Sequence, residues 1–94
     1  MASPTLEWSE AARKDLLSIV DFIADDNPDA ALKLLDDIEN KAEQLLHHPR
    51  LYEVGRVDGT REMLARQNYI VVYAEDEQRV LILRVLHGAQ FWPR

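Results

Sequence analysis

The sequence contains no cysteine, and this excludes several kinds of chemistry at once. Disulfide bonds, thiolate nucleophiles and cysteine-bound metal centres all require that residue. The chain also lacks the run of about 18 apolar residues that a membrane-spanning helix needs. Its start, Met1-Ala2-Ser3-Pro4, has neither the basic patch nor the apolar stretch of a secretory signal. We therefore expect a cytoplasmic protein with no membrane partner.

Glycine and histidine are scarce, at three residues each. No glycine-rich phosphate loop is present, and the histidines do not have the spacing of a metal site, since His47 and His48 are neighbours and His87 stands alone. No set of serine, histidine and aspartate is arranged as a catalytic triad. We expect neither a metal ion nor a cofactor.

The remaining composition is that of a globular protein, with 47% hydrophobic and 30% charged residues among 94. A chain of this length buries roughly 60 to 70% of its unfolded surface, which suits one domain over residues 1–94. The formal charge of −6 is uneven, because residues 1–49 hold eleven Asp and Glu against four Lys and Arg. Every base after position 49 is Arg. An acidic chain is a poor general binder of nucleic acid.

The hydrophobic pattern predicts an α+β fold. Apolar residues at helical spacing indicate a helix over 10–25, capped by Ser9, and a second helix over 28–47 that Pro49 ends. The tight connection between them makes an antiparallel helical hairpin. Strands rich in Val, Ile, Leu and Tyr are predicted at 5–8, 61–66, 69–75 and 79–87, the last three forming an antiparallel sheet.

The register of this sheet follows if residues 67–68 and 76–77 are two-residue turns. Ala65 then pairs with Ile70, and Tyr73 pairs with Val80. Because side chains alternate across a sheet, one face collects only apolar residues and should lie under the helices. That face is predicted to hold Met63, Ala65, Ile70, Val72, Leu81, Leu83 and Val85.

The opposite face carries the residues that point to function. Arg66, Tyr69 and Arg84 fall side by side in one cross-strand row of the predicted sheet. Arg84 interrupts an apolar strand, so its guanidinium needs water, a carboxylate or a bound anion. It either forms a salt bridge or a stack on Tyr69, or it joins Arg66 in holding a phosphodiester or an acidic partner segment. Arg56 and Arg61 lie in and just after the loop before this sheet and could add to the positive electrostatic potential of Arg66 and Arg84.

His87 is the remaining candidate for chemistry. It follows directly on the last strand, where an imidazole can transfer protons near neutral pH. A single histidine at a strand end can equally be a hydrogen-bonded structural residue. The carboxylates of the helices are interpreted as a solvated surface.

Four phrases of the sequence resemble the RelE/ParE superfamily of toxins. They are residues 8–16, 55–62, 69–73 and 82–93, of which the last is the most specific. The resemblance covers nearly the whole chain and implies the fold predicted above. It also implies the toxin half of a bacterial type II toxin–antitoxin module, which inhibits growth unless a cognate antitoxin from an adjacent gene forms a hetero-oligomer with it.

The resemblance leaves two mechanisms open. RelE-like members cut mRNA on the ribosome without a metal, and in that case Arg66 and Arg84 would hold the phosphate and His87 would transfer protons. Phe91 and Trp92, in the C-terminal tail, could stack on bases. ParE-like members keep the fold but block DNA gyrase and need no ribonuclease site.

Two features of the chain favour the gyrase mechanism. Its net charge of −6 opposes steering towards a ribosome, and residues 50–94 contain no Lys. The predicted row of arginines and His87 favour mRNA cleavage instead. We expect a ParE-like inhibitor of DNA gyrase, with an mRNA interferase as the alternative.

Overall fold

The computed structural model describes residues 4–66 and 68–88. The chain forms a strand, a helical hairpin and then three further strands, as the sequence predicts. None of the described helices is both long and apolar enough to cross a membrane. In chain order the elements are β1 (Thr5–Trp8), α1 (Glu10–Ala24), α2 (Pro28–Gln44), β2 (Arg61–Arg66), β3 (Tyr69–Glu75) and β4 (Arg79–His87).

The helices begin where the capping residues predict. The side chain of Ser9 accepts a hydrogen bond from the backbone N–H of Ala12, and that of Asn27 accepts one from Ala30. The second helix ends at Gln44, three residues before the predicted end, and continues as single turns in which His47 N–H donates to the Gln44 carbonyl. Such tightening of the last turn satisfies carbonyls that a helix end leaves without partners.

The four strands form one sheet in the order β1-β4-β3-β2. The first strand lies parallel to β4, and the other two pairings are antiparallel. The helical hairpin between β1 and β2 packs on one face of this sheet. Its buried side chains meet those of the strands in one core, formed by Ala12, Leu16, Leu34, Ile38, Ala42, Leu45, Met63, Ala65, Val71, Tyr73, Val80, Ile82 and Val85.

The predicted strand register is wrong, and so is the prediction of which β3 and β4 side chains face the helices. Val71 and Tyr73 of β3 face the helices, and Tyr73 is paired with Ile82. Glu75, instead of Tyr73, pairs with Val80. The predicted helix-facing residues Ile70, Val72, Leu81 and Leu83 lie outside the core cluster, whereas Met63, Ala65 and Val85 belong to it as predicted.

A displaced turn and two β-bulges cause this difference. Asp76 N–H donates to the Arg79 carbonyl, so residues 77–78 form the second turn, one residue later than predicted. Leu64 pairs with Ile70 but Arg66 pairs with Tyr69, so Ala65 is an extra residue in β2. A shift of one residue moves every following side chain to the other face. A second shift at Leu83 of β4 brings Val85 back to the helix side.

Side chains from the helical layer hold each bulge. Lys41 Nζ donates to the Ala65 carbonyl at 2.5 Å. At the other bulge Ser9 Oγ donates to the Leu83 carbonyl at 2.9 Å, while also capping α1. These contacts satisfy backbone groups that a bulge removes from the sheet ladder.

Candidate functional site

The row of polar side chains at the end of the sheet differs in one member from the predicted row. Arg66 pairs with Tyr69 across β2 and β3, and Tyr69 pairs with His87 across β3 and β4. Arg84 lies farther along, opposite Val72. The structure therefore brings together Arg66, Tyr69 and His87, and places Arg84 outside that row.

Arg66 is held by an aspartate of α2. Its Nε donates to Asp37 Oδ2 at 2.7 Å, and its Nη2 contacts the same oxygen. Asp37 lies one helical turn before Lys41, so the two side chains bind the bulged end of β2 together. The guanidinium is thus part of the contact between α2 and the sheet.

Arg84 is held in the same way by α1. Its Nε and Nη2 donate to the two carboxylate oxygens of Asp15, at 2.7 and 2.9 Å. The same carboxylate accepts the backbone N–H of Val85 at 3.0 Å. These hydrogen bonds to Asp15 raise the pKa of Arg84 above its ordinary value, although burial acts against them. Beyond the second bulge β1 no longer pairs with β4, and there Asp15 accepts the hydrogen bond of a β4 backbone N–H.

The two other predicted binding arginines have partners too. Arg56 forms hydrogen bonds of 3.1 Å with both oxygens of Glu62, which raise the pKa of Arg56 and lower that of Glu62. Arg61 donates to the Tyr52 carbonyl at 2.7 Å and lies 4.0 Å from Glu75. Within the described part of the chain, all arginines after position 49 contact a carboxylate: Arg50, Arg56, Arg61, Arg66, Arg79 and Arg84.

The prediction of an open sheet face that presents guanidinium groups is therefore wrong. The later turn after β3 and the bulge at Leu83 move Arg84 out of the row, and Asp37 and Asp15 form ion pairs with Arg66 and Arg84. The sequence pattern predicts that Asp15 and Asp37 are solvated, but they directly precede the buried Leu16 and Ile38 and so lie at the border of the apolar stripe. A carboxylate at that border, combined with an arginine in an apolar strand, is the signal that could have revealed these pairs.

Tyr69 and His87 remain as a close pair. Their ring centroids lie 5.4 Å apart, with the rings at 80° in an edge-on arrangement. They border a cleft of about 430 Å³ between one side of α1 and the ends of β3 and β4. The cleft is lined by Asp15, Ser18, Ile19, Phe22, Tyr69, Val85 and His87.

The remaining predicted site residues lie in the C-terminal tail of the sequence. Phe91 and Trp92 lie outside the described residues. Across residues 4–66 and 68–88, no three His, Asp or Glu side chains come together in a way that could hold a metal ion. The chemically notable groups of this region are thus an ion-paired arginine, a tyrosine and a histidine.

The chain matches the family described as the ParE toxin of the type II toxin–antitoxin system parDE, over residues 6–92. Y4kP of Sinorhizobium fredii (strain NGR234), which is named as a toxin candidate, is 34% identical over 95 residues. That alignment covers 100% of this chain and 98% of the relative.

Solved structures with the same fold come from several toxin–antitoxin systems. A chain of the chromosomal ParDE system from P. aeruginosa superposes with a TM-score of 0.80 at 25% identity, covering 90% of this chain and 96% of that one. A chain of the RelBE2 complex from Mycobacterium tuberculosis gives 0.61 at 25% identity, covering 92% and 99%. A chain of the E. coli DinJ–YafQ complex gives 0.67 at 13% identity, covering 97% and 99%, which shows the fold alone.

Proposed function

The chain belongs to the family of ParE toxins of type II toxin–antitoxin systems, and from that premise we propose that it arrests growth by binding DNA gyrase in the bacterial cytoplasm. The observation that carries the proposal is that its arginines form ion pairs within the chain. Each described guanidinium after position 49 is in contact with a carboxylate of the same chain.

An RNA-cleaving site must hold a scissile phosphate, and ion-paired arginines do this poorly. A phosphate approaching Arg66 or Arg84 meets Asp37 or Asp15 beside it, and the like charges repel each other. Breaking a pair such as Arg84–Asp15, whose side chains are only 28% and 15% exposed, would also leave a poorly solvated charge. The overall charge of −6 further slows the approach of any nucleic acid.

The proposal includes a cognate antitoxin encoded by an adjacent gene. The RelBE2 and DinJ–YafQ structures are both toxin–antitoxin complexes. We infer that this chain likewise forms a hetero-oligomer that silences it until the antitoxin is removed.

Inducible expression of the chain without its antitoxin tests the target. Rates of DNA, RNA and protein synthesis are followed separately during the first minutes after induction. The proposal requires DNA synthesis to stop first, with filamentous cells and a DNA-damage response. An early collapse of translation during continuing replication would contradict it.

One observation favours a second candidate, an mRNA interferase. Arg66, Tyr69 and His87 lie in one cross-strand row, and a histidine beside a tyrosine can serve acid–base chemistry. This candidate requires transcripts to be cut within codons after induction. His87→Ala would then abolish the cuts and the toxicity together, whereas gyrase inhibition would persist in His87→Ala.

A further inference from the structure

The helical hairpin exposes two leucines at positions where a surface helix normally carries polar residues. Leu17 of α1 is 62% exposed, and Leu32 of α2 is 59% exposed. Val20 and Leu35, three residues farther along each helix, are partly buried against the core. Each helix therefore continues its apolar surface from the core outwards, beyond what the fold itself buries.

The two helices turn these four apolar residues towards each other. On α1 the opposite side carries Asp15 and Phe22, which line the cleft beside β3 and β4. On α2 the opposite side carries Asp37 and Lys41, whose side chains contact the end of β2. The side that remains on each helix is the one that borders its neighbour in the hairpin.

The four residues also lie at matching heights along the hairpin. Leu17 and Leu35 are each seven residues from the end of their helix at the connecting turn, and Val20 and Leu32 are each four residues from it. In an antiparallel hairpin these pairs face each other. They form one apolar stripe along the groove between the helices, here named the hairpin seam.

The charge beside the hairpin seam is negative. Asp21 and Asp36, each one turn after an exposed leucine, are themselves exposed. Near the other end of the seam, Arg13 and Glu39 carry opposite charges. The whole hairpin, residues 10–44, holds ten Asp and Glu against four Lys and Arg, which equals the formal charge of the chain, −6. Two such hairpins would repel each other, so a second copy of this chain is a poor occupant of the seam.

We propose that the hairpin seam receives a basic amphipathic helix of the toxin's protein target. A groove between two helices accommodates a third helix whose apolar side chains recur every three and four residues. The apolar side of that helix would cover Leu17 and Leu32, and its Lys or Arg side chains would lie against Asp21 and Asp36. An enzyme that works on DNA holds basic side chains against phosphates, so a basic helix is expected of DNA gyrase. The inference rests on the proposed function, because it names the surface through which the toxin meets that target.

The test compares the inhibition of purified gyrase by the unmodified chain and by surface variants. Leu17→Gln with Leu32→Gln should require about tenfold more toxin, or a still larger excess, for the same loss of supercoiling. Its matched control is Leu51→Gln with Leu64→Gln, because these leucines are 69% and 60% exposed and lie outside the hairpin. The control should act within about threefold of the unmodified chain. All four positions are exposed, so both variants should keep the fold, and their thermal midpoints check this.

A second pair of variants separates the seam from the general acidity of the chain. Asp21→Asn with Asp36→Asn should weaken inhibition about fivefold at low salt and reduce its salt dependence. Asp58→Asn with Glu77→Gln removes the same charge from exposed positions outside the hairpin and should have a much smaller effect. Equal weakening by the two variants would contradict a local contact with the seam.

Two further measurements distinguish the target from other occupants. The variant with both seam leucines replaced should no longer arrest growth in cells, yet it should bind the product of the adjacent reading frame with its original affinity. Intact gyrase inhibition by this variant would overturn the inference. If binding of the neighbouring product is then weakened, the seam belongs to the antitoxin, and if self-association is lost, it belongs to a second copy.

Failure of this inference can be told apart from failure of the proposed function. If the unmodified chain inhibits gyrase and the seam variants inhibit it equally well, the proposed function stands and the seam is not the contact. If the unmodified chain leaves gyrase unaffected while growth arrest still depends on Leu17 and Leu32, gyrase is not the target and the seam remains the target-binding surface. A chain that neither arrests growth nor inhibits gyrase would overturn both.

Discussion

At the residue scale, Asp15 makes an arginine possible in an otherwise apolar strand. The carboxylate accepts two hydrogen bonds from Arg84 and one from the backbone of Val85. A buried guanidinium without such a partner would lose its solvation with little compensation. Asp15 therefore supplies the negative charge that the Arg84 guanidinium needs, and Arg84 does not require a bound anion.

Replacing Asp15 by Asn should destabilise the fold by about 2 kcal/mol, because the half-buried Arg84 loses its countercharge. Asp21→Asn, an exposed position of the same helix with the same change in charge, should alter stability by less than about 0.5 kcal/mol. Urea unfolding of the two variants measures the difference. Equal stabilities would mean that the ion pair contributes nothing to the fold.

Tyr73 gives a prediction about pH. Burial raises its pKa to about 12, and its hydroxyl donates to the Pro49 carbonyl at 2.7 Å. Because the folded pKa lies above the ordinary value of 10, the neutral tyrosine stabilises the fold below pH 10, and this contribution is lost as the pH rises towards 12. It should fall by about 1 kcal/mol by pH 11.

The Tyr73→Phe variant should lack this alkaline loss. Its thermal midpoint should be lower than that of the unmodified chain at pH 8, and the gap should narrow by pH 11. Tyr69→Phe, at a partly buried tyrosine, is the control and should keep the alkaline loss of the unmodified chain. A constant gap between pH 8 and pH 11 would show that Tyr73 does not titrate as described.

At the element scale, Ser9 joins the first strand, the first helix and the bulge of β4. Its side chain accepts from Ala12 and donates to Leu83, whereas Asn27 at the start of α2 has only the capping contact with Ala30. Ser9→Ala should thus cost about 2 kcal/mol and Asn27→Ala about 1 kcal/mol. Chemical denaturation provides the comparison, and equal costs would exclude a role for Ser9 in holding the bulge.

The elements themselves could be predicted from sequence, but their register could not. Caps and apolar spacing are local, so Ser9, Asn27 and the alternating strands indicate the helices and strands directly. A bulge depends on contacts made far along the chain, such as Lys41 with Ala65, 24 residues away. The sequence predicts a tight turn on each side of β3, but the bulge in β2 alone reverses the faces of β3 relative to β2.

Because the register could not be predicted, only part of the candidate site could be predicted either. Its row contains Arg66 and Tyr69 as expected, but His87 takes the place of Arg84. The partners Asp15 and Asp37 come from helices that the sequence places on the sheet without fixing which residues touch. Distant ion pairs of this kind become visible only once the packing is known.

At the scale of the whole molecule, charge is divided between the two layers. The helical hairpin carries the formal charge of −6, and the rest of the chain is balanced. Helix carboxylates also reach into the sheet to pair with Arg66 and Arg84. The described surface thus favours protein partners over nucleic acid, which supports a toxin that acts by binding.

The supercoiling activity of purified DNA gyrase, measured with increasing amounts of this chain, tests that view most directly. We predict that the toxin stops supercoiling and that prior binding of the cognate antitoxin restores it. Gyrase activity that stays unchanged in an excess of toxin, together with cleavage of mRNA on ribosomes by the same preparation, would contradict the account.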